Sequence, residues 1–203
     1  MKSAVLLYSG GADSTLCAKL LAGEGYAVHA LSILYEGRPA AELAAARALS
    51  GELGFASFHE MQLGGLAKGA PRWVDDRHDH HEGLIPYRNV MFWSLAANRA
   101  ASVGADVIAA GHTSYDADSY DDAGPAFFET LAKSLQFSGL GRSGRALRIE
   151  LPLARLTNDE MANLLIQHRD FLRRTWSCWR DGAAPCGDCF ACKGRTFEAL
   201  TKR

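Results

Sequence analysis

The sequence predicts a doubly wound α/β fold on a parallel sheet, closed by a small metal-binding segment near its end. Three observations carry that reading. Short apolar runs alternate with stretches of helical period. A turn rich in serine and glycine joins the first run to the first helix. Four of the five cysteines fall between positions 178 and 192. Apolar runs separated by helical patterns pair in parallel through right-handed crossovers, which covers the sheet on both faces.

Residues 4–8, Ala-Val-Leu-Leu-Tyr, are a continuous apolar run, as expected of a strand buried on both sides. Leu16, Leu20 and Leu21 then recur at helical spacing, so a helix is expected to begin near Asp13 or Ser14. Residues 28–35 read as a second strand. Residues 40–53 are Ala-rich, with Leu43, Ala46, Leu49 and Leu53 on one face and Gly54 as the stop, and so read as a helix. Residues 55–63 alternate as a third strand would. Residues 68–86 lack periodicity and read as a long loop holding His78, His80 and His81. A helix over 89–103, a buried strand over 106–111, a helix over 125–137 and a short strand over 148–153 follow. Thr157 and Glu160 are spaced as a capping box opening a further helix.

The chemistry is concentrated in Ser9-Gly10-Gly11-Ala12-Asp13-Ser14-Thr15. A strand, a two-glycine turn and a helix start make an anion site, because unpaired N–H groups point outward and the helix dipole adds positive charge. Ser9, Ser14 and Thr15 supply hydroxyls for phosphate oxygens. The plain alternative is a tight turn with Asp13 or Ser14 as an ordinary N-cap. No Gly-Lys-Ser/Thr follows, which excludes the Walker loop, and Asp13 stands where a dinucleotide loop wants its third glycine. In such sheets ligands bind beyond the carboxyl ends of the strands, so the loops after Tyr8, Tyr35 and Gly111 should share one cleft. His112, just past a strand end, is a candidate for ligand contact or for a structural hydrogen bond.

Cys178, Cys186, Cys189 and Cys192 read C-x7-C-x2-C-x2-C, a tetrahedral thiolate set for structural zinc. Disulfides, free thiols and iron–sulfur ligation are the alternatives, and Cys17 reads as a packed core thiol. At 203 residues and 48% hydrophobic the chain has material for one core, so residues 1–203 are taken as one domain, with the zinc segment at 175–195. A net charge of −1 gives no basic footprint for nucleic acid. No signal-peptide pattern and no apolar run of about 18 residues is present, so a cytoplasmic protein without a membrane partner is expected.

The Ser9–Thr15 loop resembles the pyrophosphate loop of the ATP pyrophosphatase superfamily, whose fold is adenine nucleotide alpha hydrolase-like. Together with Ile85-Pro86-Tyr87-Arg88-Asn89-Val90-Met91-Phe92, Ile149-Glu150-Leu151-Pro152-Leu153 and Thr175-Trp176-Ser177-Cys178-Trp179, the chain is similar to the 7-cyano-7-deazaguanine synthase family. That resemblance implies a zinc-containing homodimeric ligase of the queuosine pathway. Such an enzyme uses ATP and ammonia to convert 7-carboxy-7-deazaguanine to the amide and then the nitrile, releasing AMP and pyrophosphate or its hydrolysis product. It implies that Tyr8, Ser9, Gly10, Gly11, Ala12, Asp13, Ser14, Thr15 and Leu16 bind ATP, that Asp13 caps the helix or helps hold Mg²⁺, and that Arg88 meets phosphate or the substrate carboxylate. Asp13, Ser14 and Arg88 are thus the candidate catalytic residues. The chain departs from the family pattern at Glu36-Gly37-Arg38-Pro39 and at Asp121-Asp122-Ala123-Gly124, both expected to border the acceptor pocket. A paralogue that stops at the amide or uses another amine, a tRNA-modifying relative, and a non-catalytic zinc-knuckle module are the alternatives.

Overall fold

The computed structural model describes residues 2–66, 85–138 and 146–193. Its elements are β1 (Lys2–Leu7), α1 (Ala12–Gly23), β2 (Tyr26–Tyr35), α2 (Ala40–Ser50), β3 (Ser57–Leu63), α3 (Arg88–Val103), β4 (Val107–Ala109), α4 (Ser114–Ser119), α5 (Pro125–Phe137), β5 (Arg148–Glu150), α6 (Asn158–Gln167), α7 (Arg169–Leu172) and α8 (Phe190–Lys193), with 3-10 turns at Asp121–Ala123 and Leu153–Arg155.

All strand pairs are parallel, and the order across the sheet is β3-β2-β1-β4-β5. β1 lies in the middle, with Leu6 opposite Ala30 on one side and Ala109 on the other. Successive side chains of a strand point to opposite faces, and β1 sorts accordingly. Val5 joins Leu31, Ile108, Trp93 and Phe128, beneath α3 and α5. Leu6 and Tyr8 join Cys17, Leu21, Val28 and Leu49, beneath α1 and α2. A third cluster of Leu16, Leu153, Leu164 and Leu172 fastens α6 and α7 to the outer side of α1. Helices on both faces therefore cover the sheet, and winding reverses between β1 and β4. That reversal opens a crevice at the carboxyl ends of these two strands.

The strands expected over 28–35, 106–111 and 148–153 are Tyr26–Tyr35, Val107–Ala109 and Arg148–Glu150, and three helical details also differ from the sequence expectation. α1 starts at Ala12 with Gly11 as N-cap and no side-chain cap, because Gly10 makes the turn and brings the helix in earlier than Asp13. α2 ends at Ser50, and Gly54 sits beyond it at φ +67° in the turn toward β3. α4 was not expected from periodicity, although Thr113 and Asp116 form the capping box that starts it. The Thr157–Glu160 box is present as read. His78, His80, His81 and most of the 68–86 loop lie outside the described residues. Among those described, no helix is long and apolar enough to cross a membrane.

Candidate functional site

The turn from β1 into α1 is the centre of the site. Gly10 holds φ +92°, and a Cβ there would stand 2.6 Å from the Ala46 nitrogen and 2.7 Å from the Glu42 carbonyl oxygen. Only glycine lets the backbone of α2 come this close. Ser9 Oγ accepts from the Gly11 N–H at 3.0 Å and lies 3.2 Å from Ser14 Oγ, which donates to the Gly11 carbonyl at 3.1 Å. Ser9, Gly10, Gly11 and Ser14 thus form a polar cup on the N-terminus of a three-turn helix, where the helix-opening amides and the dipole favour an anion. Asp13 stands exposed in the first turn. Tyr8, Ala12, Thr15 and Leu16 are buried, and the Tyr8 ring packs edge-on against Phe55 at 5.1 Å. These four offer backbone and packing rather than side chains to the cup. From the other side Gly111 closes in, since a Cβ on it would meet the Asp13 carbonyl carbon at 2.6 Å.

Arg38, which the sequence reading assigned only to an altered acceptor segment, is the residue that fastens this cup. Its side chain is 4% exposed. It donates to the Ser9 carbonyl, to Ser32 Oγ at 2.9 Å, to the Ile33 carbonyl at 2.8 Å and to Glu42 Oε2 at 2.8 Å. Burial pushes the Glu42 carboxyl up, and the Arg38 guanidinium is the strongest force pulling it back. The partners come from the loop, from β2 and from α2, so the segment belongs to the polar cup as much as to a neighbouring pocket. An open cleft of ≈ 390 Å³ lies beside it at the ends of β2 and β3, lined by Leu34, Tyr35, Glu36, Arg38, Pro39 and Gln62 among others.

Arg88 is the first residue of α3 and follows Tyr87, which takes the left-handed φ 58°, ψ 18°. The Arg88 charge acts on Tyr35, Glu42, His112 and Tyr120, which places the guanidinium at the same end of the sheet as the cup. Burial, then the Glu42 charge, raises the Tyr35 hydroxyl pKa, while Arg88 lowers it. His112 lies against Trp93 at 6.0 Å and edge-on to Phe128 at 5.3 Å. Burial holds its imidazole below the ordinary range, opposed by Asp116 and Asp122. The second altered segment forms the 3-10 turn Asp121–Ala123, and Asn89 Nδ2 donates to its Asp122 carbonyl at 2.9 Å.

The sulfurs of Cys178, Cys186, Cys189 and Cys192 all lie within 4.8 Å of one another. Cys178 and Cys189 are 3.9 Å apart, as are Cys186 and Cys192. Zinc–sulfur bonds of about 2.3 Å set the corners of a tetrahedron about 3.8 Å apart, whereas a disulfide needs about 2.05 Å. All four thiols are free. Backbone N–H groups of Arg180, Cys186 and Cys189 donate to cluster sulfurs at 3.4 Å, the partners a thiolate wants. The cluster fits a metal ion. Cys17, by contrast, is fully buried in the core, as expected.

The cysteine segment is stitched to the cup. Trp176 N–H donates to the Gly10 carbonyl at 3.2 Å, and Ser177 Oγ accepts from the Ala12 N–H at 3.3 Å. Asp181 Oδ1 accepts from the Ala41 N–H at 2.9 Å, capping α2, whose own N-cap is Pro39. Sequence reasoning missed Ser177 and Asp181 as it missed Arg38. Asp181 had a faint signal, in that Pro39 leaves α2 without a side-chain cap of its own.

The family described as queuosine biosynthesis protein QueC matches residues 3–202. The 7-cyano-7-deazaguanine synthase of Gloeobacter violaceus is 34% identical, covering 95% of this chain and 89% of its own length. The synthase of that name from Alcanivorax borkumensis is 33% identical over 100% of this chain and 97% of its own. Among solved structures, the U34-tRNA thiolase NcsA of Methanococcus maripaludis with its [4Fe-4S] cluster is similar in fold. Its TM-score is 0.52 at 18% identity, covering 98% of this chain and 65% of that one. A 4-thiouridine synthetase–RNA complex with bound ATP gives 0.51 at 16%, over 84% and 40%. These two likenesses describe the fold alone.

Proposed function

The chain belongs to the queuosine biosynthesis protein QueC family, and on that premise we propose that it is an ATP-dependent carbon–nitrogen ligase converting 7-carboxy-7-deazaguanine, with ammonia, to 7-cyano-7-deazaguanine. The observation that carries the ATP half is the Ser9–Ser14 cup, set on the α1 N-terminus at the crevice between β1 and β4.

A carboxylate is a poor electrophile because its leaving group would be oxide. Its oxygen attacks the α-phosphorus of ATP, and the α–β bond breaks to release pyrophosphate. Ammonia then attacks the carbonyl carbon, AMP leaves with the C–O bond, and one proton is lost to give the amide. The amide oxygen attacks a second ATP, and loss of AMP and two N–H protons leaves the nitrile. In this reading the Gly11 and Ala12 amides and the Ser9 and Ser14 hydroxyls receive the pyrophosphate. Arg88 binds an α-phosphate or carboxylate oxygen through its planar fork. Mg²⁺, when bound, offsets charge on the triphosphate, with Asp13 as its protein carboxylate. The cleft beside Arg38 takes the nucleoside half of ATP. The four cysteines hold zinc as a structural ion, since a closed thiolate tetrahedron leaves no position for substrate. The working form is a homodimer.

The test is a stoichiometry. Purified protein with 7-carboxy-7-deazaguanine, ammonia and ATP should yield two AMP per nitrile, with 7-amido-7-deazaguanine serving as both intermediate and substrate. One AMP per product and no nitrile by mass spectrometry would mean instead a paralogue that stops at the amide, redirected by the 121–124 turn.

A further inference from the structure

Ser177 stands immediately before the first metal-binding cysteine, yet its hydroxyl lies on the opening amide of α1. The Ala12 N–H donates to it at 3.3 Å, and a Cβ placed on Gly11 would lie 3.5 Å from it. The neighbouring amide, Gly11 N–H, donates in the same way to Ser9 Oγ at 3.0 Å. Two of the N–H groups that open the helix are therefore each met by a serine hydroxyl, one from the start of the chain and one from the cysteine segment. A hydroxyl is both donor and acceptor. It can accept from the amide while the cup holds no ligand, then rotate to donate its own proton to a phosphate oxygen as the amide turns to the same anion. Alanine can do neither.

The position of Ser177 is fixed from both sides. Trp176 N–H is bonded to the Gly10 carbonyl, and Cys178 is buried within the sulfur cluster. Three residues further on, Asp181 holds the start of α2 through Ala41.

We infer that Ser177 is a phosphate-binding residue of the nucleotide site, and that the metal cluster serves that site by holding Ser177 against the Ala12 amide. This rests on the reading of the Ser9–Ser14 cup as an ATP site.

The experiment compares wild type, Ser177→Ala and Ser177→Thr as metal-loaded full chains. Binding of a non-hydrolysable ATP analogue, of pyrophosphate and of adenosine is followed by calorimetry, alongside metal content and thermal unfolding. Loss of one hydrogen bond to a charged group should weaken the ATP analogue and pyrophosphate roughly 10- to 100-fold in the Ala variant. Adenosine affinity and metal content should stay at wild-type values, the melting temperature should fall by no more than about 2–4 °C for the one lost hydrogen bond, and Thr should restore phosphate binding to within a few-fold. An Ala variant that binds the analogue as tightly as wild type overturns the assignment. So does a loss accompanied by metal release or by a fall in melting temperature of about 10 °C or more, which marks a structural role. Wild type that binds neither the analogue nor pyrophosphate overturns the ATP reading itself, a result distinct from either.

Discussion

The Arg38 guanidinium donates to the Ser9 carbonyl from 29 positions further along the chain, tying the loop after β2 to the first residue of the polar cup. The contact satisfies that carbonyl with a buried cation. The same guanidinium neutralises Glu42 and satisfies Ile33 and Ser32.

Removing one member of such a buried pair costs more than replacing both, because the survivor is left charged without a partner. Arg38→Ala should therefore lose about 3–5 kcal/mol of stability, read by urea denaturation. The double variant Arg38→Met/Glu42→Leu should recover most of that loss while remaining deficient in ATP turnover. A double variant no more stable than Arg38→Ala would show that the pair is not what stabilises the loop.

Ser14→Ala removes a hydroxyl bonded to Ser9 and to the Gly11 carbonyl, and no helix cap goes with it, since Gly11 is the N-cap. A stability loss of about 1 kcal/mol is expected, with ATP turnover abolished. Asp13 is exposed, so Asp13→Ala should change stability less and abolish turnover equally. Wild-type rates of pyrophosphate release in folded variants would remove these side chains from the reaction.

The cysteine cluster should carry one zinc per chain by elemental analysis. Structural zinc contributes roughly 10–16 kcal/mol in small sites, comparable with the roughly 5–15 kcal/mol of net stability of a domain. Chelation or Cys189→Ser should then unfold at least residues 175–193 and lower ATP affinity at the same time. Iron with a visible chromophore, or no metal at all, would rule the zinc assignment out.

His112 sets a pH dependence. Burial keeps the folded imidazole below its ordinary 6.5, aided by Arg88 and opposed by Asp116 and Asp122. Between the lowered value and 6.5 the unfolded chain binds more protons than the folded one. The stabilising contribution is complete above that window and declines as pH falls through it, at up to about 1.4 kcal/mol per pH unit. Thermal unfolding of wild type should thus drop more steeply below about pH 6.5 than that of His112→Gln. His29 and His168 are lowered as well, but both remain in each protein, so the difference belongs to His112. Parallel pH profiles would contradict the buried neutral imidazole.

The parts of the site legible in the sequence are those written in neighbouring residues. Ser9 to Ser14 carry strand end, turn and helix start within six positions. The cysteines carry their ligand spacing, and Thr157 with Glu160 a capping box. The parts that escaped depend on distant pairings. Arg38 reads only as part of a segment bordering the acceptor pocket until Ser9, Ile33 and Ser32 are seen to converge on it. Ser177 and Asp181 acquire partners only when the last third of the chain folds back on α1 and α2. The early start of α1 was missed for a local reason, since the positive φ of Gly10 is a property of the turn that composition alone does not time.

The bond between Ser177 and the Ala12 amide spans 165 residues, and this bears on how the protein is made. At roughly 5–20 residues per second, on the order of ten seconds or more separate the emergence of the first helix from that of the serine that closes over it. Throughout that interval the nascent chain presents its glycine turn without its far wall. The closing contact has high sequence separation, and forming it carries the loop-closure entropy that slows non-local assembly. Nucleotide added during refolding should accordingly engage in a late phase, after the sheet has formed.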